Sequence, residues 1–407
     1  MTHTHTGLQD AYIISARRTP VGRYGGALAS VRPDDLAAAA IAAAVHDAGI
    51  DPGEVNEVIF GNANGAGEEN RNVARMAWLL AGFPHTVPGL TINRLCASGM
   101  TSLSLGQAMI QSGQADVVVC GGVESMSRAP WVMEKPATAF AKPGQVFDTS
   151  IGWRFINPVF AEQEKMTYSM PETAEEVARV CGISRKEADH FAVQSHRRAL
   201  AAQAAGKFDS ELVSITTYDR KGTARVVAAD EGPRENTSVE VLSRLRPVVA
   251  GGEVVTAGNS SSLNDGASAV VLASEAAMKK LRLRPRARIV AGAAAGVAPE
   301  VMGLGPIPAT TKALAAAGWK VGDVQAVELN EAFATQSLAC MDQLGLDPET
   351  VNAWGGAIAL GHPLGSSGSR IVTTLLHRME DADLATGLAT MCVGVGQGTA
   401  LLIERMG

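Results

Sequence analysis

Two distant stretches of this chain of 407 residues follow one plan at one spacing. Each has a helix of small residues that ends in Ala-Gly, then a turn and a short apolar strand. The copies end their helices at Gly49 and Gly318, an offset of 269 residues. The same offset relates three residues of one Gly-rich loop to three of another: Leu95, Ser98 and Gly99 to Leu364, Ser367 and Gly368. Unrelated segments do not keep a common spacing, so we infer two similar halves.

Each half alternates helical and strand-like segments. Glycines mark predicted helix ends at Gly49, Gly113 and Gly318, and the short apolar runs between helices are typical of strands covered on both faces. The run at residues 117–122 resembles residues 391–394 if a few inserted residues are allowed. We predict an α/β protein with a functional site where the halves meet.

The segment from about 125 to 250 differs in composition from both halves. It is richer in Pro, Arg, Glu and aromatic residues, which makes it a poor candidate for regular sheet. Helical runs at residues 172–180 and 186–202 predict an inserted lobe with structure of its own. Its Arg and Lys side chains are suited to a ligand that carries phosphate.

Charge and cysteine usage exclude several classes of function. The net charge of −6 provides no basic field for nucleic acid or an anionic membrane. No apolar run reaches the roughly 18 residues of a membrane helix, and the first residues are polar, so we expect a cytoplasmic protein. The five cysteines are scattered without a CxxC pair, which argues against a disulfide framework and a structural metal site: Cys96, Cys120, Cys181, Cys340 and Cys392.

Cys96 lies between a strand-like run at 90–92 and a predicted helix at 97–111. A thiol there faces a helix N-terminus, whose dipole and free N–H groups stabilise a thiolate and an oxyanion. We therefore expect the pKa of Cys96 to fall. The alternative is a small buried core residue, the usual role of a single cysteine.

Cys392 and His362 are the other candidates for chemistry. Cys392 ends an apolar strand and precedes glycines that let backbone approach a ligand; the alternative is a buried strand cysteine. His362 stands in a Gly- and Pro-rich loop at residues 355–365, equivalent to the loop that carries Cys96. It is suited to accepting the thiol proton, whereas the alternative is a capping or structural histidine.

Asn330 and Glu331 follow a predicted strand and open a helix. Asn330 is expected either to cap that helix or to orient a water or amide donor toward a substrate carbonyl. Glu331 is expected to be a first-turn charge that interacts with the helix dipole.

Four motifs together resemble the signatures of the thiolase family, in order and spacing, over nearly the whole chain. They lie at residues 93–99, 330–334, 355–365 and 392–398. The resemblance implies the thiolase fold, with two βαβαβαββ halves in five αβαβα layers. It implies an N-terminal half at 1–124 completed by about 251–278, an inserted loop domain for coenzyme A (CoA) at 125–250, and a C-terminal half at 279–407.

The resemblance also implies roles for individual residues. Cys96 would take the acyl group, His362 would activate its thiol, and Cys392 would protonate the departing acetyl-CoA enolate. Asn330 with His362 would form one oxyanion hole, and the N–H groups of Cys96 and Gly394 the other. The family uses CoA and acyl-CoA as substrates with no bound cofactor or metal, and usually forms a homotetramer.

The family's positions for CoA and substrate contacts fall on a further group of residues. They are Met170, Arg234, Ser261, Ala332 and Phe333. Residues 61–75, 152–158 and 169–173 resemble the β-ketoadipyl-CoA thiolase subgroup. For its dicarboxylate acyl chain we expect Arg154, and less strongly Arg71, to bind the free carboxylate; the alternative for Arg154 is a structural salt bridge.

Three positions depart from the family pattern. Ala97 replaces a usual Gly, Val241 replaces a Ser found in some relatives, and Trp354 replaces a common Asn. Trp354 is expected to narrow the pocket or alter the loop beside His362.

Other functions remain open from the sequence alone. A thiolase with a preference for other short or medium acyl chains, a decarboxylating ketoacyl synthase and an inactive CoA- or lipid-binding scaffold are the alternatives. Cys392 argues against the synthase, and the intact reactive residues argue against the scaffold. No Walker loop or dinucleotide fingerprint is present, which excludes ATP and nicotinamide chemistry by those motifs.

Overall fold

The computed structural model describes residues 8–163, 165–219 and 221–407; the first seven residues of the predicted N-terminal half lie outside them. The strands of the two halves belong to one ten-stranded sheet. Its strands are β1 (Ala11–Arg18), β2 (Gly22–Arg23), β3 (Glu57–Gly61), β4 (Gly89–Ile92), β5 (Val117–Ser125), β10 (Asn264–Ser274), β11 (Ala287–Gly296), β12 (Ala326–Leu329), β13 (Thr386–Val393) and β14 (Gln397–Arg405). The order is β12-β13-β14-β11-β1-β10-β5-β3-β4, with β2 beside β10.

Helices cover the sheet and connect its strands. They are α1 (Pro33–Ala48), α2 (Val73–Leu80), α3 (Ser98–Gln111), α4 (Pro158–Ala161), α5 (Met170–Cys181), α6 (Arg185–Ala204), α7 (Val239–Leu242), α8 (Glu275–Leu281), α9 (Pro306–Ala317), α10 (Ala334–Leu344), α11 (Ala357–Leu360) and α12 (Leu364–Asp381).

Three buried apolar clusters separate five layers. The first joins α1 and α2 to the β3–β5 sheet region, with Leu36, Phe60 and Trp78. The second surrounds α3 and α12, which lie between the sheet regions of the two halves. The third joins α9 and α10 to β12–β14. This is the predicted αβαβα arrangement, and the fold prediction is confirmed.

The duplication extends to strand register. β3 pairs in parallel with β5 through Glu57 and Val118, and β12 pairs with β13 through Ala326 and Gly387, each residue shifted by the same 269 positions. Because β5 and β13 also begin at this offset, the alignment of 117–122 with 391–394 through inserted residues was wrong. One strand is reduced in the second copy, where Val351 forms only an isolated bridge with Val327.

Two equivalent glycines allow α3 and α12 to touch. A Cβ at Gly99 would lie 2.7 Å from the carbonyl oxygen of Gly365, and a Cβ at Gly368 would lie 2.3 Å from the backbone nitrogen of Met100. This contact brings together the N-termini of both helices, and therefore the loops that carry Cys96 and His362.

The segment between β5 and β10 contains two small hairpins and four of the helices. The hairpins are β6 (Trp131–Met133) with β7 (Val146–Asp148), and β8 (Ile215–Tyr218) with β9 (Ala224–Val227). The predicted helical runs coincide with α5 and α6. A buried Arg18 on β1 holds the segment through ion pairs with Glu211 at 2.6 Å and Asp230 at 2.7 Å.

Candidate active site

Cys96 lies in a tight turn between β4 and α3. The turn places Leu95 in the left-handed region, with φ of 46°. Asn93 Oδ1 accepts the N–H of Leu95 at 2.8 Å, and Ser98 Oγ accepts the N–H of Arg94 at 2.9 Å. These bonds hold a strained backbone just before the helix, so the half-buried thiol occupies a fixed position.

The thiol of Cys96 is protonated in the free protein. Burial raises its pKa to about 11, although the N–H groups of Gly394 and Cys96 lower it by hydrogen bonding to the sulfur. The prediction of a lowered pKa was therefore wrong, because desolvation outweighs the helix terminus. A nearby base is needed to form the thiolate at neutral pH.

His362 is buried and its Nδ1 lies 2.6 Å from Ser367 Oγ, which also lies 2.9 Å from the carbonyl oxygen of Pro363. We assign Ser367 as the donor to Pro363 and His362 Nδ1–H as the donor to Ser367, because this arrangement satisfies both contacts. Nε2 then carries the lone pair, and it lies 3.4 Å from Nδ2 of Asn330. Burial and the charge of Arg370 lower the pKa of His362 to about 3, so the ring is neutral and able to accept a proton.

Cys392 ends β13 in an apolar environment. Its neighbours are Met170, Ala332 and Phe333, with Ala174, Val255 and Met302. Burial raises its pKa well above the usual value, and the nearby Cys96 raises it further. Cys392 therefore holds its proton, as an acid must.

The loop after Cys392 closes around Cys96. The N–H of Gly394 donates to Cys96, and a Cβ on this glycine would lie 3.1 Å from Leu95 Cδ1 and 3.7 Å from Met170 Sδ. Cys96, Cys392, Gly394 and Met170 are thus brought together. The N–H groups of Gly394 and Cys96 both hydrogen-bond to the Cys96 sulfur, so two backbone donors are available at this point of the site.

Asn330 does not cap a helix. Helix α10 begins at Ala334 with Phe333 as its N-cap residue. The Asn330 amide instead faces His362, and its Oδ1 is buried without a hydrogen-bond partner among the described residues. The capping alternative was wrong, and the orphaned oxygen fits contact with a water or substrate.

Glu331 does not lie in the first turn of α10, which begins at Ala334, so that prediction was wrong. Its buried carboxylate accepts hydrogen bonds from Ser195 Oγ at 2.6 Å, Asn352 Nδ2 at 2.9 Å and the N–H of Ile358 at 3.1 Å. It thereby joins α6 to α11, the short helix that precedes His362.

Ser261 lies beside the same apolar cluster. Its N–H donates to the carbonyl oxygen of Ala332 at 2.9 Å, and the N–H of Ala334 donates to Asn259 at 2.9 Å. Ser261, Ala332 and Phe333 therefore lie along one side of the apolar cluster that contains Cys392. Arg234 is exposed, and its backbone N–H donates to His196 Nδ1 at 3.2 Å.

Arg154 is half-buried and Arg71 is exposed. Arg154 Nη2 lies 3.4 Å from Oδ1 of Asn64, and no carboxylate lies within ion-pair distance in the part of the chain that the structure describes. The preceding residue, Ala63, accepts a hydrogen bond from Asn93 in the nucleophile turn at 2.9 Å. The salt-bridge alternative thus lacks a partner in those residues.

Two family departures lie in packed surroundings. Ala97 is fully buried. Trp354 packs edge-on against Phe208, with ring centroids 5.7 Å apart, and contacts Leu360. Trp354 therefore supports the chain leading to His362 in a cluster that does not include Cys96 or Cys392. Val241 is exposed.

Sequence reasoning missed Glu124, Asn264 and Ser367. Glu124 is a carboxylate in an otherwise uncharged, fully buried strand, which was an available signal. Ser367 was noted only for its place in the duplication.

The described residues contain no group of His, Cys, Asp and Glu side chains arranged to hold a metal ion. None of the helices in that part of the chain has the length and apolarity to cross a membrane.

Comparison with known proteins gives full-length matches. The family model described as thiolase, N-terminal domain, matches residues 11–276, and that for the C-terminal domain matches residues 283–405. The chain is 52% identical over 401 residues to β-ketoadipyl-CoA thiolase of Pseudomonas aeruginosa, covering 98% of this chain and 100% of the relative. It is 49% identical over 402 residues to the 3-oxoadipyl-CoA/3-oxo-5,6-dehydrosuberyl-CoA thiolase of Escherichia coli K12, with the same coverage.

A solved structure of human mitochondrial 3-ketoacyl-CoA thiolase in complex with CoA superimposes with a TM-score of 0.91. Its sequence identity is 39%, and the match covers 98% of this chain and 99% of that one.

Proposed function

This chain belongs to the thiolase family of acyltransferases, and from that premise we propose that it cleaves β-ketoadipyl-CoA with CoA to give succinyl-CoA and acetyl-CoA. The observation that carries the proposed chemistry is the convergence of the reactive groups. Cys96 accepts the N–H of Gly394, two residues beyond Cys392, while the free Nε2 of His362 faces Asn330.

The proposed acylation begins with a neutral thiol and a neutral imidazole. His362 Nε2 takes the proton of Cys96, and the sulfur attacks the 3-keto carbon of the substrate. The N–H groups of Cys96 and Gly394 and the Asn330–His362 pair supply donors for the two carbonyl oxygens. The bond between C2 and C3 breaks, and Cys392 donates its proton to the acetyl-CoA enolate, leaving an acyl thioester on Cys96.

The second half of the reaction returns the enzyme to its starting state. Cys392 takes the proton of the incoming CoA thiol, whose sulfur attacks the acyl thioester. Succinyl-CoA leaves and the Cys96 sulfur regains a proton from His362. The apolar neighbours Met170, Ala332 and Phe333, with Ser261 beside them, are the proposed surface for pantetheine, and the exposed Arg234 is proposed to bind the nucleotide part.

Arg154 supports the proposed preference for an acyl chain that ends in a carboxylate. It is half-buried, lacks a carboxylate partner in the described residues, and is connected through Asn64 and Ala63 to the Cys96 turn. The relatives from Pseudomonas aeruginosa and Escherichia coli carry names with such dicarboxylate substrates.

The first experiment compares kcat/KM for cleavage of β-ketoadipyl-CoA, acetoacetyl-CoA and a medium-chain 3-ketoacyl-CoA. We expect a preference for β-ketoadipyl-CoA that disappears, with all cleavage, in Cys96→Ala. Equal or better rates with the other substrates would assign a different acyl specificity. Absence of cleavage together with no acylation of Cys96 would favour the scaffold, and full condensing activity of Cys392→Ala with a malonyl thioester would favour the ketoacyl synthase.

Arg154→Ala tests the carboxylate contact, Arg71→Ala tests the weaker candidate, and Arg225→Ala, at an exposed position of β9, is the control. Loss of one charged hydrogen-bonded contact predicts a fall in kcat/KM for β-ketoadipyl-CoA of roughly tenfold to a hundredfold. The value for acetoacetyl-CoA should not change. Equal losses for both substrates would assign Arg154 a structural role.

A homotetramer is also part of the proposal. Two groups of exposed apolar side chains lie close together in the chain: one on α2 and the edge strand β4, the other on the hairpin β6–β7. They include Met76, Leu79, Leu80, Leu90, Trp131, Met133 and Val146. Light scattering after size exclusion should give four times the chain mass, and a monomer would contradict the proposal.

We further propose that the enzyme works in the cytoplasm without a bound cofactor. The five cysteines are all free thiols in the structure, which suits a reducing compartment. Activity should survive exhaustive dialysis against a chelator. A loss of activity that an added metal restores would overturn the proposal that no cofactor is bound.

A further inference from the structure

Two buried side chains from the N-terminal half bind the main chain on both sides of His362. Asn264, at the start of β10, accepts the N–H of His362 with Oδ1 at 2.9 Å. Glu124, on β5, accepts the N–H of Gly365 with Oε2 at 2.9 Å. Their residues are 0% and 2% exposed, so water does not compete for either bond.

Glu124 is also bound to the loop beside the nucleophile turn. Its Oε2 accepts the N–H of Ala63 at 2.9 Å, and its Oε1 accepts the N–H of Asn64 at 3.2 Å and Nδ2 of Asn62 at 3.4 Å. Each carboxylate oxygen therefore has two donors. Burial raises the pKa of Glu124 and the N–H donors offset part of this, which leaves a net value of about 7.

Asn264 packs closely against the backbone of Gly361, the residue before His362. Gly361 has φ of 110°, and a Cβ on it would lie 2.5 Å from the Asn264 side chain. Asn264 also donates from Nδ2 to the carbonyl oxygen of Gly22 at 2.9 Å. The asparagine thus links the N-terminal half to the backbone of His362 itself.

We propose that Glu124 and Asn264 are positioning residues that set the His362 imidazole relative to Cys96. Both belong to the half that carries Cys96, whereas His362 belongs to the other half. Proton transfer needs donor and acceptor within hydrogen-bond reach, and a misplacement of about 1 Å costs up to roughly a hundredfold in rate. This inference rests on the proposed roles of Cys96 and His362.

The test measures alkylation of Cys96 by iodoacetamide between pH 6 and 9, beside kcat and KM for thiolysis. Wild type should react through the His362-assisted thiol, and His362→Ala should react slowly at neutral pH with a rate that rises with pH. Glu124→Gln and Asn264→Ala should approach the behaviour of His362→Ala. Their kcat should fall by roughly tenfold to a hundredfold, with KM for CoA unchanged.

Asp265→Asn is the matched control. Asp265 is a buried carboxylate beside Asn264 that binds Ser125 and Ser127 of its own half. It should retain the alkylation profile of wild type, even if thermal stability falls. Equal alkylation changes in Asp265→Asn and Glu124→Gln would overturn the proposal by showing a general loss of structure.

A double variant separates this inference from the proposed function. If Glu124 acts through His362, Glu124→Gln should add no further loss of alkylation to His362→Ala. A multiplied loss would overturn the positioning role while leaving the thiolase chemistry intact. Failure of His362→Ala itself to slow alkylation would instead contradict the proposed function.

A second pair of variants serves if Glu124→Gln does not fold. Cys96 should be alkylated faster in Asn264→Asp, which keeps the Oδ1 acceptor, than in Asn264→Ala. The reverse order would count against the proposal.

Discussion

The Nδ1 atom of His362 lies 2.6 Å from the hydroxyl oxygen of Ser367, which is five residues later in the chain. Because that hydroxyl donates its hydrogen to Pro363, only the imidazole is able to supply the proton between them. The bond therefore leaves the basic nitrogen directed toward Asn330. The base is selected by local helical geometry, before any substrate binds.

Ser367→Ala should lower kcat by roughly tenfold and leave KM for CoA unchanged, since the other tautomer becomes accessible and it places a hydrogen on Nε2. Steady-state kinetics measure this. Ser366→Ala is the control, because Ser366 bonds to Ser268 and not to the imidazole. A kcat for Ser367→Ala within twofold of wild type would refute the assignment.

Because His362 is buried in its neutral form, the free energy of unfolding should fall in acid. Its folded pKa of about 3 is below its usual value of 6.5, so the neutral ring is favoured in the folded protein. The unfolded chain binds the proton first, and stability present above pH 6.5 is lost progressively as the pH falls toward 3. Urea unfolding at a series of pH values should show a smaller acid loss in His362→Gln. An acid loss in His362→Gln equal to that of wild type would contradict the prediction.

Gly368→Ala should destabilise the protein by about 1–3 kcal/mol through overpacking of α12 against α3. The added Cβ would meet backbone at 2.3 Å, and backbone has little room to move. The control is Gly322→Ala, whose Cβ would have no neighbour within 4 Å. Chemical denaturation measures both, and equal midpoints would contradict the close helix contact.

Arg18→Met should cost about 3–5 kcal/mol, because it leaves the buried carboxylates of Glu211 and Asp230 without their cation. Lys279→Ala removes only an exposed pair with Glu275 and should leave stability close to that of wild type. Thermal unfolding with limited proteolysis would locate the weakening in the segment between β5 and β10. An Arg18→Met variant as stable as wild type would show that these ion pairs contribute nothing net.

The layered fold was predictable because equivalent residues of the two halves are separated by one constant offset in the sequence. A common offset constrains helix ends, strand starts and pairing partners together, so a few matching motifs determine much of the topology. The approach of the loops that carry Cys96 and His362 followed from the same symmetry, since equivalent loops of two packed halves meet at their junction. The third strand of the second half was not predictable, because its reduction to one bridge at Val351 depends on local packing.

Electrostatics and supporting contacts were harder to predict. The pKa of Cys96 depends on how much protein covers the sulfur, a quantity set by residues from both halves. Glu124 and Asn264 are distant in sequence from His362, and their contacts exist only once the halves dock. Asn330 had the local pattern of a helix cap, yet the helix begins four residues later.

Duplication did not give this chain two active sites. At the offset of 269 residues, the twin of Cys96 is Gly365, and a Cβ there would lie 2.4 Å from the carbonyl oxygen of Val123. No residue with a side chain fits at that point, so packing alone forbids a second nucleophile. The twins of His362 and Cys392 are Asn93 and Val123. The two halves are therefore not interchangeable, because at none of these three positions does the equivalent residue of the other half have the same side chain.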